Sequence, residues 1–189
     1  MIAIVKYNAG NVTSVKNAIE RLGFECIVTD NSEELQKADK VIFPGVGEAS
    51  SAMAYLKEKG LDEVIKNLKQ PFLGICLGMQ LMCDYSEEGN VECLGIFKTK
   101  VKKFPPLDLV PQMGWNTIVQ NGKENENEDV YFVHSYYAEV CEETTATCNY
   151  ILNFSAALQK DNFYGVQFHP EKSGKIGEEI LNKFLMLNF

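Results

Sequence analysis

Through its first half the chain alternates between short continuous apolar runs and stretches whose apolar residues recur every third or fourth position. Residues 2–6 open with Ile2-Ala3-Ile4-Val5, the kind of run that a strand buried on both faces requires. The turn cluster Tyr7-Asn8-Ala9-Gly10-Asn11 follows. Val12, Val15, Ala18, Ile19 and Leu22 then lie at helical spacing, with Gly23 as the stop. Residues 24–28 predict a second strand, and Asn31-Ser32 with Glu34 marks a helix start. A third strand over 40–43 runs directly into Pro44-Gly45-Val46-Gly47. Helices are predicted over 48–58 and, after Gly60, over 61–69; a fourth strand over 72–75 gives way to the helix-like Met79-Gln80-Leu81-Met82-Cys83-Asp84-Tyr85. This β-α rhythm predicts an α/β fold with an open, mostly parallel, doubly wound sheet. Ligands of such sheets bind at the carboxyl ends of the strands, where Gly45-Val46-Gly47 and Cys76 both fall.

After about residue 90 the rhythm changes. Strands are predicted over 94–104, 112–119, 129–137, 144–153, 155–160 and 163–168, with connections short enough for additional antiparallel pairing in the C-terminal half. The polar stretch Gly122-Lys123-Glu124-Asn125-Glu126-Asn127-Glu128-Asp129 reads as a solvated loop. An amphipathic helix over 175–187, carrying Ile176, Ile180, Leu181, Phe184, Leu185 and Leu187, closes the chain. No repeat or linker interrupts it, so residues 1–189 are expected to form a single domain.

Composition removes several function classes. A net charge of −8 without a basic cluster argues against nucleic acid or an anionic membrane as partner. No apolar run approaches the roughly 20 residues that span a bilayer, and the N-terminal run is too short for a signal peptide. Cys26, Cys76, Cys83, Cys93, Cys141 and Cys148 form no C-x-x-C pair and have no histidine at zinc-ligand spacing. Reduced thiols, a cytoplasmic location and no metal or other cofactor are therefore expected. With only two histidines, any cysteine–histidine chemistry must use His134 or His169.

One stretch organises the candidate chemistry. In Gly74-Ile75-Cys76-Leu77-Gly78 a strand turns sharply into a helix with glycine two places either side of a cysteine, the nucleophile-elbow arrangement written with sulfur. The bend strains the nucleophile's backbone, and small neighbours let other segments approach. The helix N-terminus favours a thiolate and leaves the Leu77 N–H to donate to an oxyanion. The spelling alone fits a buried inert cysteine equally well. In Gln167-Phe168-His169-Pro170-Glu171 a strand feeds His169, and in extended chain Glu171 projects to the same side, where it would fix the imidazole tautomer. Alone, that too could be a surface pair. His134 lacks a carboxylate within three residues and reads as site-lining or structural. Gly45-Val46-Gly47 fits a phosphate cradle, an oxyanion donor opposite the nucleophile or a plain turn. Trp115 fits the core or an interface anchor.

Taken together, the elbow and Phe168-His169-Pro170-Glu171 resemble the signature pair of the triad-type (class I) glutamine amidotransferases. Within that family the finer pattern is similar to the glutaminase subunits of histidine biosynthesis, which serve an imidazole glycerol phosphate cyclase. It is carried by Tyr7-Asn8-Ala9-Gly10-Asn11, Pro44-Gly45-Val46-Gly47, Gln80-Leu81-Met82, Ser86-Glu87-Glu88-Gly89, Pro111-Gln112-Met113-Gly114-Trp115-Asn116, Phe132-Val133-His134-Ser135-Tyr136 and Gln167-Phe168-His169-Pro170-Glu171-Lys172-Ser173-Gly174. The resemblance implies a flavodoxin-like amidotransferase fold and hydrolysis of L-glutamine through a thioester. Cys76 would be the nucleophile, His169 the base and Glu171 its orienter. It implies an oxyanion hole from Leu77 with Val46 and Gly47, and substrate contacts from Gln80, Glu88, Gly45, His134, Ser135 and Tyr136. It also implies a heterodimer with a separate cyclase subunit that receives the ammonia, since no phosphate-binding barrel is attached. Asn8, Asn11, Trp115, Asn116 and Lys172 are the expected contacts. A paralogue serving sugar amidation, a stand-alone cysteine hydrolase and a non-enzymatic scaffold are the alternatives.

Overall fold

The computed structural model describes residues 1–8, 11–121 and 127–187. Ala9 and Gly10 of the first turn cluster, and residues 122–126 of the acidic stretch, lie outside the described residues.

Strands β1 (Ile2–Val5), β2 (Cys26–Thr29), β3 (Lys40–Phe43) and β4 (Phe72–Ile75) are the apolar runs of the first half. Between them lie helices α1 (Val12–Arg21), α2 (Ser32–Lys37), α3 (Ala49–Glu58) and α4 (Leu61–Asn67). Caps set the starts of two of these. The Asn31 side chain accepts from the Glu33 and Glu34 N–H groups, and the Glu48 carboxylate accepts from those of Ser50 and Ser51. A five-residue helix α5 (Leu77–Leu81) follows β4 directly. The remaining strands are β5 (Tyr85–Ser86), β6 (Val91–Glu92), β7 (Lys100–Lys103), β8 (Gln112–Gln120), β9 (Asn127–His134), β10 (Tyr136–Ala138), β11 (Thr144–Tyr150), β12 (Leu152–Lys160) and β13 (Phe163–Val166). A 3-10 turn at Pro170–Lys172 leads into α6 (Gly174–Leu185).

Among the described residues one nine-stranded sheet runs β2-β1-β3-β4-β13-β12-β11-β8-β9. Its pairings are parallel from β2 to β13 and antiparallel from β13 to β9, so the sheet is mixed. Alternate residues of β1 and β3 enter two cores. Ala3, Val5, Val41 and Phe43 pack with apolar residues of α2 to α5; Ile2, Ile4 and Ile42 pack with those of α1 and α6. That is the doubly wound arrangement. The antiparallel half curls back over the carboxyl ends, for the His169 N–H donates to the Tyr131 carbonyl at 2.9 Å. A second sheet, β10-β7-β5-β6, lies beside it.

Three expected strands differ from the structure. The run expected as one strand over 94–104 is regular only at β7, because the N–H groups of Leu94, Gly95, Ile96 and Phe97 donate to the carbonyls of Leu81, Met82 and Cys83 at the end of α5. The strand expected over 129–137 is two strands broken at Ser135, one in each sheet. The expected break after residue 153 lies earlier, at Ile151, which takes a positive φ of 61° in a tight hairpin.

Candidate active site

The elbow is built by two close approaches and one strained turn. The Cys76 N–H donates to the Val166 carbonyl at 2.8 Å, which continues the β4–β13 pairing one residue beyond the strand. The backbone then turns through φ 53°, ψ −112° at Cys76, a conformation that a side chain other than glycine's rarely adopts. Gly78 lies against β3 so closely that a Cβ there would meet the Phe43 carbonyl oxygen at 1.8 Å. Cys76 is left 6% exposed at the floor of a cleft of about 280 Å³. Val46, Gly47, Leu77, Gln80, Glu88, His134, Ser135 and Tyr136 line that cleft, together with Pro111 and Val133.

His169 is buried at 1% exposure behind the cysteine. Its Nδ1 lies 2.8 Å from Glu171 Oε1, and both side chains are closed to solvent. The route to this pair differs from the extended-chain expectation. Glu171 belongs to the 3-10 turn begun by Pro170, and that turn brings the carboxylate back to the ring. The Asn11 side chain also donates to Glu171 Oε1 and helps to hold it. Nε2 has no hydrogen-bond partner among the described residues, and Cys76 lies near enough to act on the charge of the ring. Burial opposes a charge on the ring, but Cys76 and Glu171 outweigh it, and the His169 pKa is pushed up to about 10.

The second histidine is its electrostatic opposite. His134 sits among Phe104, Phe132 and Phe154, with Nδ1 2.7 Å from the Tyr136 carbonyl and Nε2 2.9 Å from the Gln112 side-chain amide. Burial pushes its pKa down to about 4, so the ring is neutral at pH 7. Glu88 accepts from the Ala49 N–H at the start of α3, and burial, with Glu48 nearby, raises its pKa.

A model of the family described as glutamine amidotransferase class-I matches residues 3–187. The chain belongs to the class-I glutamine amidotransferases. It is 60% identical to the imidazole glycerol phosphate synthase subunit HisH of Bacteroides thetaiotaomicron, over 98% of this chain and 99% of that protein. The HisH subunit of Pasteurella multocida is 48% identical, over 97% and 96%. A crystal structure of a glutamine amidotransferase superposes with a TM-score of 0.75 at 17% identity, covering 98% of this chain and 97% of that one. PurLQS from Thermotoga maritima superposes at 0.73 and 15%, covering 97% and 96%. These two likenesses concern the fold alone.

Two expectations for the site of this amidotransferase, a free Leu77 N–H and Gly45 in the cleft, differ in the structure. The Leu77 N–H is not free: it lies 3.4 Å from the Gly45 carbonyl, so that group caps the donor. Gly45 does not line the cleft, and the buried Tyr7 hydroxyl, which donates to the Pro44 carbonyl, packs against it. Of the expected partner contacts, Trp115 is 58% exposed and packs edge-on against Tyr131 beside Gly174, and Lys172 is exposed nearby. Asn116, the next residue of β8, points away and donates to the Asn149 carbonyl. Asn8 donates to the Ser51 carbonyl, and Asn11 serves Glu171. Sequence reasoning also passed over Gln167. It is fully buried at the end of an apolar strand, and that burial of a polar residue was the available signal.

Proposed function

We propose that this chain is the glutaminase subunit of an imidazole glycerol phosphate synthase, working in the cytoplasm as a single domain. It hydrolyses L-glutamine to glutamate and ammonia and hands the ammonia to a separate cyclase subunit for histidine biosynthesis. The observation that carries the mechanism is the buried His169–Glu171 pair standing behind a cysteine on a strained elbow. The Cys76 thiolate attacks the side-chain amide carbon of glutamine. The negative charge that forms on oxygen is met by the Leu77 N–H with one from Val46 or Gly47, once the Gly45 carbonyl swings off Leu77. The His169 imidazolium protonates the departing nitrogen, and ammonia leaves. The neutral ring then takes a proton from water, which hydrolyses the thioester and releases glutamate. Glu171 holds the ring in the tautomer with Nδ1 protonated throughout. Glu88, anchored through Oε2, offers Oε1 to the substrate ammonium, and backbone groups of residues 134–136 complete the cradle.

The test uses the chain assembled with its cyclase and the cyclase's ligand. Cys76→Ala is expected to lower glutamate release by about 10⁴-fold or more, since removing a nucleophile disables the whole unit. Glutamate release at the unsubstituted rate overturns the assignment.

A further inference from the structure

The side-chain amide of Gln167 is fully buried, which is costly unless each polar atom is partnered. A hydrogen-bond chain that starts at a backbone carbonyl fixes which way that amide points. The Tyr136 carbonyl can only accept, so the Gln80 nitrogen 2.9 Å away is its NH2. The same nitrogen lies 2.9 Å from the Gln167 amide, which must therefore present its oxygen to Gln80. The Gln167 NH2 is left facing the Cys76 sulfur at 3.6 Å. The backbone is pinned as firmly. The Gln167 N–H donates to the Ala156 carbonyl, and the Cys76 N–H donates to Val166, the residue before it.

We infer that Gln167 is the electrostatic partner of the nucleophile: its amide N–H, aimed by Gln80 and the Tyr136 carbonyl, donates to the Cys76 sulfur and favours the thiolate. Of the groups around the sulfur, the Val133 carbonyl at 3.8 Å can only accept and disfavours a charge there, and the His169 ring and the buried Tyr7 hydroxyl are the titratable neighbours; the Gln167 N–H gives the thiolate a donor of its own. Sulfur is a weak acceptor as a thiol and a strong one as a thiolate, so the contact stabilises the charged form selectively. This rests on the glutaminase reading, because it assigns the contact to that reaction's nucleophile. A packing role alone would be met by an apolar residue of the same size.

The experiment is the pH profile of Cys76 alkylation by iodoacetamide in the full chain, read at the Cys76 peptide by mass spectrometry. Gln167→Met removes the donor at nearly constant volume. Gln167→Asn keeps an amide but draws it back from the sulfur. Both are expected to move the alkylation midpoint up by about one pH unit, a loss of about tenfold in rate on the acid side of the midpoint that is recovered at high pH. Circular dichroism identifies the folded variants, and Gln167→Asn decides if Gln167→Met does not fold. A midpoint unchanged from the unsubstituted chain in a folded variant overturns the inference and leaves the glutaminase reading intact. An unsubstituted chain whose Cys76 does not alkylate at pH 7 overturns both.

Discussion

Gly78→Ala tests how tightly the elbow is made. A Cβ at this position would sit 1.8 Å from the Phe43 carbonyl oxygen and 2.8 Å from its carbon. Carbon and oxygen normally approach no closer than about 3.3 Å, so the two segments must part by about 1.5 Å. Phe43 cannot give way, because β3 is held by β1 on one side and by β4 on the other. The five-residue α5 must therefore move, and with it Leu77 and the backbone that aims Cys76. Overpacking of this kind costs roughly 3 kcal/mol, which for a chain of this length lowers the Tm by about 6–12 °C. A nucleophile displaced by about 1 Å loses on the order of 10²-fold in rate. Thermal unfolding followed by circular dichroism, and glutamate release by the assembled complex well below either Tm, measure the two effects. A variant with Tm within 2 °C of the parent (about 1 kcal/mol or less) and unaltered turnover would refute the claim that β3 and α5 touch here with no room to yield.

Two further outcomes follow from the same structure. His134 has its pKa depressed in the fold, so the unfolded chain binds its proton first as the solution is acidified. Stability from that ring is present above pH 6.5 and is lost as pH falls toward about 4; urea titrations of His134→Gln should show a shallower acid loss than the parent. The sign is opposite for His169, whose stabilising pairing fades as pH rises from 6.5 toward about 10. Trp115→Ala removes an exposed aromatic, so unfolding of the isolated chain should change by less than about 1 kcal/mol. Its affinity for the cyclase should fall by about tenfold or more if it anchors that contact, as calorimetric titration of the two subunits will show.

The sequence by itself determined the parallel half of the sheet and the two ends of the chemistry. Strands buried on both faces must be short apolar runs, and helices packed on such a sheet must carry apolar stripes, so β1 to β4 and α1 to α4 are written in local composition. The elbow is equally local: glycines flank a cysteine between a strand and a helix. What lies near residues distant in sequence was not legible. The apolar run 94–97 is as buried as a strand, yet its N–H groups are taken by the end of α5, and burial alone does not record which carbonyl a backbone group will meet. His169 and Glu171 could be paired on paper, but the turn that joins them and the Asn11 amide that steadies the carboxylate come from opposite ends of the chain. Likewise the capping of Leu77 by Gly45, and the amide relay from Tyr136 through Gln80 and Gln167 to the sulfur, exist only once β3, β4, β10 and β13 converge. Hydrophobic pattern encodes which face of an element is buried; the partner of each polar group is a property of the assembled tertiary structure.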